Sequence, residues 1–232
     1  MTSFNGAVVL VTGANGGIGT HFVREALARG AAKVYATARN PREWDDERIV
    51  PLTLDVTDPA SIRAVVEQTA DVTVLINNAG ASPSTPGILT HTDEEIRSNV
   101  ETNFLGPLFL ARAFAPLLSA RGGNTAIIDI HSALSWYAVM GIYSATKAAL
   151  WSVTNSLRLE LQPAGVQVVG CTSAGSTPPW QPVPPTPRPT PPSLWRRCSM
   201  RPRPASTKSS PTRPPCRRRR ACRHLSRPST RS

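Results

Sequence analysis

The segment Thr12-Gly13-Ala14-Asn15-Gly16-Gly17-Ile18-Gly19 decides the fold of this chain of 232 residues. An apolar, β-branched run over residues 7–12 leads into it, which is typical of a strand buried on both faces of a parallel sheet. A helix pattern follows over residues 18–29 and is closed by Gly30. Glycines allow a tight turn, and the helix N-terminus offers free N–H groups to an anion. The segment therefore predicts a phosphate-binding turn, with an ordinary tight turn as the alternative.

Strand and helix patterns alternate along the chain as far as residue 169. Strand patterns cover residues 33–37, 49–54, 72–76, 125–130 and 166–169. One helix pattern begins at about Pro59, with Asp58 as its N-cap. A second covers residues 94–118, with a kink near Pro107, and a third covers residues 143–161. This alternation predicts the α/β class, with a doubly wound parallel sheet of the Rossmann type.

A second motif, Tyr143-Ser144-Ala145-Thr146-Lys147, lies at the start of the last helix pattern. Tyr143 and Lys147 are four residues apart and so share one helix face. A phenol has a pKa near 10 in isolation, and a neighbouring ammonium lowers it. The motif therefore predicts a tyrosine adapted to acid–base catalysis. Taken alone, it also fits a surface pair on an amphipathic helix.

Several motifs occur in a familiar order over residues 7–170. They are the glycine turn, Asp55-Val56, Asn77-Asn78-Ala79-Gly80, Asn103, Ser132 and Tyr143-x₃-Lys147. In this order they resemble the classical short-chain dehydrogenase/reductase family, whose members are Rossmann-type oxidoreductases that use NAD(P)(H).

The resemblance implies a catalytic set of Ser132, Tyr143, Lys147 and Asn103. Tyr143 would exchange a proton with the substrate oxygen, which Ser132 would hydrogen-bond. Lys147 would hold the nicotinamide ribose and lower the Tyr143 pKa, and Asn103 would hold a water of a proton relay. Ser135 is an alternative to Ser132, because the spacing to Tyr143 is shorter than usual and a His stands at position 131, where the family often has another Ser.

The resemblance also implies a set of nucleotide-binding residues. These are Thr12, Gly13, Asn15, Gly17, Ile18, Gly19, Arg39, Asp55, Val56, Asn77, Ala79, Gly80, Tyr143 and Lys147. Users of NAD commonly place an acid at the end of the second strand, and this chain has none there. Arg39 can pair with a 2′-phosphate in bidentate fashion, which favours NADP(H) over NAD(H). Alternatively, Arg39 stacks on the adenine or faces solvent.

Composition changes abruptly near Gly170. Residues 1–170 have a net charge of −3, whereas residues 171–232 have +14, no acidic residue and 15 of the 23 prolines. We therefore expect an NAD(P)-binding catalytic domain over residues 1–170 and a disordered Pro/Arg-rich tail over residues 171–232. The four cysteines all lie in the tail, and their spacing matches no zinc pattern, so we expect no metal.

The tail departs from the family, which continues with a nicotinamide loop, a lid helix and a last strand. Regrouping the codons one base earlier can turn residues 171–180 into a loop of the family type and residues 193–201 into a helix sequence. We therefore hypothesise that the tail is an out-of-frame translation and that the catalytic domain is incomplete. Without a lid to exclude water, we expect weak or no turnover.

The resemblance favours an oxidoreductase that moves hydride between NADP(H) and an alcohol/carbonyl pair. One alternative is a remnant that binds the cofactor without turnover, and another is a polyanion-binding protein that uses its basic tail. We expect a small-molecule substrate, a homodimer formed through helices 94–118 and 143–161, and no specific nucleic-acid partner. No stretch approaches a membrane span and no signal peptide is evident, so we expect a cytoplasmic protein.

Overall fold

The computed structural model describes residues 3–173. The strands are β1 (Val8–Thr12), β2 (Lys33–Ala38), β3 (Ile49–Thr53), β4 (Val74–Asn77), β5 (Ala126–Ser132) and β6 (Gln167–Ser173). The helices are α1 (Gly17–Ala28), α2 (Pro59–Gln68), α3 (Asp93–Val100), α4 (Gly106–Arg121) and α5 (Gly141–Leu161). The tail beyond residue 173, with its expected disorder and altered reading frame, lies outside the described residues.

The six strands form one parallel sheet in the order β3-β2-β1-β4-β5-β6. The order runs outward in both directions from β1 and β4, which confirms the predicted doubly wound α/β architecture. The carboxyl ends of β1 and β4 are adjacent at the point where the order reverses. Ligands of open α/β sheets bind in the crevice at this point, so the topology places the glycine turn at the expected site.

Two apolar layers hold the sheet between its helices. Side chains of β1 alternate between them: Val9 and Val11 pack with α1 on one face, and Leu10 packs with α2 and α4 on the other. This alternation follows from the two-residue period of a strand. Because β1 is buried on both faces, it needs the continuous apolar sequence from which it was predicted.

The side chain of Phe114 on α4 is the largest fully buried one among the described residues. We expect Phe114→Ala to lower the free energy of unfolding by about 3–5 kcal/mol, because it removes buried contacts and leaves a cavity. Urea unfolding followed by circular dichroism measures the change. As a control, Leu89→Ala, at a residue that is 97% exposed, should change stability by less than about 0.5 kcal/mol. Equal losses in the two variants would contradict this packing.

The predicted long helix is confirmed and covers residues 93–121. It contains a π-helical turn at Glu101–Leu105, just before Pro107, and the kink at Pro107 stays a prediction. Pro107 lies in the first turn of α4, where a proline is tolerated. π-turns inside α-helices occur frequently at functional sites.

By length and composition alone, the helix Asp93–Arg121 could cross a membrane. The expectation that no stretch approaches a span was therefore wrong on this criterion. The apolar side chains have another partner in the structure, because the face of α4 that carries Leu110, Phe114 and Leu118 is fully buried against the sheet.

The ends of two strands differ from the sequence prediction. β5 continues to Ser132, and β6 continues to Ser173 instead of ending at residue 169. The two strands pair from Ala126 with Gln167 to Ser132 with Ser173, so partner hydrogen bonds extend both strands. Polar residues near the strand ends hide this extension in the sequence.

Candidate active site

The glycine turn packs directly against the segment that follows β4. Gly13 has a φ of +66°, and a Cβ placed there would lie 2.9 Å from the Cα of Ala79. A Cβ on Gly19 would lie 2.1 Å from the carbonyl oxygen of Gly13. Both contacts are with backbone atoms, which have little freedom to move. Side chains are therefore excluded at these positions, and the turn keeps its backbone close to the sheet edge.

Thr12 and Asn78 fasten the glycine turn to the segment after β4. The Thr12 hydroxyl is buried and accepts the N–H groups of Asn78 (3.0 Å) and Ala79 (2.9 Å). The Asn78 side-chain amide donates to the carbonyls of Thr12 (2.8 Å) and Gly13 (3.2 Å). Sequence reasoning included Thr12 but missed the role of Asn78. The Asn-Asn pair was the available signal, although it does not say which amide faces the turn.

The first turn of α1 offers backbone N–H groups toward the carboxyl edge of the sheet. Its N-cap is Gly16, which provides no side-chain cap. The N-terminus of a helix attracts anions, and the adjoining glycines remove the side chains that would block one. Asn15 is exposed, and its side-chain amide donates to the carbonyl of Asn40 at 2.6 Å. The turn is thus also tied to the loop after β2.

Arg39 and Asp55 lie beyond the ends of β2 and β3. Arg39 is exposed. The Asp55 carboxylate accepts the backbone N–H (2.9 Å) and the hydroxyl (2.7 Å) of Thr57. These hydrogen bonds lower the pKa of Asp55, and the charge of Arg39 lowers it further. An ionised carboxylate and an exposed guanidinium therefore lie at the same edge of the sheet.

Sequence reasoning missed a second arginine near the turn. The Arg42 guanidinium lies 4.0 Å from the ring centroid of Trp44 and donates to the Thr20 hydroxyl at 3.3 Å. Thr20 belongs to the first turn of α1, so this cation is held near the helix N-terminus. Arg42 and Trp44 are two residues apart in a loop, and this separation only weakly predicts stacking. A loop has no regular backbone geometry that would fix where its side chains point.

Val56 has a structural environment. Its side chain is 8% exposed, and a Cβ on Gly106 would lie 3.0–3.1 Å from Val56 atoms. Gly106 thus lets the start of α4 approach the segment after β3. Ile18, in contrast, is 42% exposed in the first turn of α1. It presents an apolar surface at the mouth of the crevice.

Ser132 and Tyr143 meet at the carboxyl end of β5. Ser132 is the last residue of that strand, and its hydroxyl accepts the Leu134 N–H at 3.2 Å. Tyr143 lies in the first turn of α5, close enough for Ser132 to lower the pKa of its hydroxyl. Ser135, the alternative, lies in the next 3₁₀ turn, and its buried hydroxyl has no partner among residues 3–173. The geometry thus favours Ser132 over Ser135.

Lys147 is buried one helical turn after Tyr143. Its Nζ donates to the carbonyl of Ile130 at 2.9 Å and lies 5.8 Å from the centroid of the Tyr143 ring. Burial lowers the pKa of Lys147 to about 8. The pKa of Tyr143 is raised by burial, which outweighs the lowering effect of Ser132. The expected net lowering of this pKa is therefore not met in this structure, because burial is the largest influence on the phenol.

Asn103 lies in the π-turn and is fully buried. Its carbonyl oxygen accepts the Ala81 N–H and its amide donates to the Ala81 carbonyl, both at 2.8 Å. A Cβ on Gly80 would lie 3.2 Å from Asn103 Oδ1 and 3.8 Å from Lys147 Nζ. The structure therefore brings Gly80, Asn103 and Lys147 together, and Asn103 fixes the backbone beside the lysine. Its water-holding role stays a prediction.

Asn77 is directed away from the glycine turn. Its amide donates to the carboxylate of Asp129 (2.9 Å) and to the carbonyl of Pro107 (3.2 Å), and its side chain is 4% exposed. Alternation along β4 explains this direction, since Ile76 packs into the layer with α1. Asn77 thus supports the sheet and α4 from behind the crevice.

Comparison with known proteins agrees with this geometry. The family model for short chain dehydrogenases matches residues 7–181, which is 11 residues beyond the limit expected from the sequence. A short-chain dehydrogenase of Penicillium crustosum, PC-15, is 39% identical over 176 residues, which cover 69% of this chain and 62% of that protein. The NADPH-dependent 1-acyldihydroxyacetone phosphate reductase of Schizosaccharomyces pombe is 36% identical over 179 residues, covering 72% and 59%.

A solved structure extends the comparison to the fold. The crystal structure of a short chain dehydrogenase from Burkholderia cenocepacia J2315 in complex with NADP matches with a TM-score of 0.72 and 34% identity. The match covers 80% of this chain and 79% of that one. The chain spans about three fifths of the length of the two curated relatives above. With three quarters of its residues matched by the family model, the chain belongs to the short-chain dehydrogenase family.

Proposed function

We propose that this protein is an oxidoreductase that interconverts an alcohol and a carbonyl compound with NADP(H). One observation carries the proposal: Ser132, Tyr143 and Lys147 come together at the same sheet edge as the glycine turn. The catalytic domain, as we propose it, comprises residues 1–170 with Ser132, Tyr143, Lys147 and Asn103 as its catalytic set. We further propose a cytoplasmic location.

The crevice fits a dinucleotide on its own geometry. The uncapped first turn of α1 suits a pyrophosphate, because its N–H groups and positive dipole face the glycine turn. The absence of a side chain at Gly80 leaves the approach to Lys147 open. From these positions, Gly17, Ile18 and Gly19 would hold the pyrophosphate, and Lys147 and Tyr143 would hold the nicotinamide ribose. Asp55 and Val56 would lie beside the adenine, with Asn15, Ala79 and Gly80 along the nucleotide.

The described residues support a defined division of chemical tasks. When bound, NADPH supplies the hydride that the carbonyl carbon accepts. Burial raises the pKa of Tyr143, so its phenol carries a proton at neutral pH and can donate it to the carbonyl oxygen. Ser132 would hydrogen-bond the same oxygen and orient it toward Tyr143. In the oxidation direction, the phenolate form would take the proton back from the alcohol.

The preference for NADP(H) rests on Arg39 and on Arg42. No acidic residue lies at the end of β2, where Arg39 is exposed. The Arg42 guanidinium is held nearby by its contact with the Trp44 ring. A guanidinium can pair with a 2′-phosphate through two charge-assisted hydrogen bonds. The S. pombe relative is NADPH-dependent by name, and the B. cenocepacia structure holds NADP.

We expect Arg39→Ala to raise the Kd for NADPH about ten- to a hundredfold, since hydrogen bonds to charged groups contribute about 1.5–3 kcal/mol. The Kd for NADH should change less than about threefold, because NADH lacks the 2′-phosphate. Nucleotide fluorescence titration measures both constants. Arg63→Ala, at an exposed position on α2, removes the same charge and serves as the control. Equal loss of both nucleotides in Arg39→Ala would contradict the assignment.

We also propose a homodimer formed through residues 94–118 and 143–161. Trp151 and Leu159 on α5 support this proposal, since they are 44% and 72% exposed. Exposed apolar side chains that form a contiguous patch commonly mark protein–protein interfaces. Sedimentation equilibrium of the full chain tests it, and a monomer at micromolar concentration would contradict it.

The proposed activity is tested by adding NADPH to the full chain with a panel of simple ketones and aldehydes. Oxidation of NADPH that depends on both protein and carbonyl compound supports the oxidoreductase. Tight NADPH binding without turnover on any substrate would instead support the cofactor-binding alternative raised by the sequence. Failure to bind either nucleotide would contradict both.

A further inference from the structure

A group of polar side chains is buried behind the catalytic residues. On α5, Lys147, Leu150, Thr154 and Leu157 recur every three or four residues and form one buried face. Opposite this face, β5 carries Asp129 and His131, which are 1% and 3% exposed. Buried carboxylates are rare unless they are paired or hydrogen-bonded, so Asp129 requires an explanation.

Asp129 is held by two donors. Its Oδ1 accepts the side-chain amide of Asn77 at 2.9 Å, and its Oδ2 accepts the hydroxyl of Thr154 at 2.7 Å. The Nε2 of His131 lies 2.9 Å from the same Thr154 hydroxyl. The single proton of the Thr154 hydroxyl has two acceptors at 2.7 Å, the Asp129 carboxylate and the Leu150 carbonyl. When Thr154 donates to an ionised Asp129, it accepts a hydrogen bond from the His131 N–H. The three groups then form a hydrogen-bond chain that ends at the carboxylate.

His131 is fixed in position and uncharged. A Cβ on Gly170 of β6 would lie only 2.5 Å from its Cε1, so the ring lies directly against the neighbouring strand. Burial lowers the pKa of His131 to about 4, and the charges of Lys147 and Arg158 add to the effect. The ring is therefore neutral at physiological pH and does not compete with Lys147 as the cation that balances Asp129.

We propose that Asp129 is a positioning residue whose buried carboxylate keeps Lys147 protonated. The Lys147 ammonium donates to the carbonyl of Ile130, the residue next to Asp129, and both charged groups lie between β5 and α5. A buried cation is costly when it is alone, and a nearby opposite charge offsets part of this cost. The role of this charge pair in catalysis rests on the proposed function. The pairing of Asp129 with Lys147 itself does not depend on that function.

The surrounding groups are consistent with this pairing. Burial lowers the pKa of Lys147, and the charge of Asp129 opposes that shift. Burial raises the pKa of Asp129, whereas the donors Asn77 and Thr154 and the charges of Lys147 and Arg158 oppose that shift. The other titratable groups of this region are His131, which is neutral, and Tyr143, whose raised pKa keeps it neutral. Asp129 is thus the carboxyl group that faces Lys147 from β5, and its ionisation is what the proposal requires.

The chain suits a direct measurement, because it contains three lysines, Lys33, Lys147 and Lys208. The full chain labelled with [ε-¹³C]lysine gives one set of NMR signals for each lysine, assigned with Lys33→Arg and Lys208→Arg. We expect Asp129→Asn to lower the titration midpoint of Lys147 by at least about one pH unit, since a close opposite charge commonly shifts a pKa by about 1–3 units. Asn77 Oδ1 has no partner among residues 3–173 and can accept the new amide.

A matched control lies at the opposite end of the sheet. There Lys33 donates to Asp71 at 2.6 Å, and this hydrogen bond raises the pKa of Lys33. Asp71→Asn should lower the midpoint of Lys33 and leave that of Lys147 unchanged, whereas Asp129→Asn should do the reverse. If each variant shifts only the lysine beside its own aspartate, the effect is a local charge effect and not general damage to the fold.

An unchanged Lys147 midpoint in folded Asp129→Asn would overturn the proposal. If that variant does not fold, the unsubstituted protein decides. A Lys147 signal that remains that of an ammonium from pH 6 to near 8 supports the proposal, and one that is already that of an amine at pH 6 overturns it. No nucleotide or substrate enters the measurement, so failure of the proposed oxidoreductase activity would leave its outcome readable.

Discussion

The turnover of the unsubstituted chain, which we expect to be weak, should fall by about 10²–10⁴-fold in Tyr143→Phe, the range that positioned proton donors contribute to catalysis. The substitution removes the one hydroxyl that faces Ser132 and keeps the ring beside Lys147. NADPH binding should change less than about threefold, because most of the proposed nucleotide contacts lie on the glycine turn and around Arg39. Initial rates of NADPH oxidation and fluorescence titration measure the two effects separately.

Tyr35→Phe is the matched control for this substitution. This substitution also removes a tyrosine hydroxyl that has hydrogen-bond partners, Lys33 and Asp71. These partners lie at the end of the sheet opposite the glycine turn. Its turnover should stay within about twofold of the unsubstituted protein. Retention of full turnover in Tyr143→Phe would remove the tyrosine from the mechanism. Equal losses in the two variants would indicate a structural effect.

The pH dependence has a sign that follows from the raised pKa of Tyr143. In carbonyl reduction the phenol is the required form, so the rate should be constant through neutral pH and fall only as pH rises through that pKa. In alcohol oxidation the phenolate is required, so the rate should rise with pH over the same range. Rates that fall with pH in both directions would contradict the assignment of Tyr143 as the proton-transfer group.

The sequence predicts the fold where local and tertiary demands coincide. The run from Ala7 to Val11 is apolar at every position because β1 is buried on both faces, and the glycines follow because side chains at Gly13 and Gly19 would meet backbone atoms. Asp58 was also identified correctly, since its side chain accepts the Ala60 N–H at the start of α2. In each case a single residue type satisfies the local backbone and the packing at once.

The sequence does not predict features that depend on contacts between distant segments. The π-turn at 101–105 places Asn103 against Ala81, and nothing in the local sequence states which residue the amide will meet. The end of β5 depends on pairing with β6. The pKa of Tyr143 depends on how deeply α5 buries it, which outweighs the neighbouring lysine that the spacing emphasises. Side-chain direction and burial depend on tertiary structure. The sequence motifs therefore identify the site residues but do not predict their contacts or their pKa values.

NADPH affinity should fall by about a hundredfold in Gly19→Ala, toward the upper end of what overpacking by one methyl group costs. The new Cβ would lie 2.1 Å from the Gly13 carbonyl oxygen and 2.9 Å from the Cα of Ala14. Both contacts are with the backbone of the glycine turn, so the methyl group can be accommodated only if the turn moves. The same displacement disturbs the bond from Asn78 to Gly13. Fluorescence titration measures affinity, and thermal unfolding measures stability.

Gly17→Ala separates two explanations for such a loss. A Cβ at Gly17 meets no protein atom within 4 Å, and the residue lies in the first turn of α1, where alanine favours the helix. This variant should therefore keep or gain stability, and any loss of NADPH affinity would arise from contact with the nucleotide itself. Gly19→Ala should lose both stability and affinity, because the protein's own backbone is displaced. If Gly19→Ala bound NADPH normally, the glycine turn would not be the nucleotide site, and the proposed function would lose its structural basis.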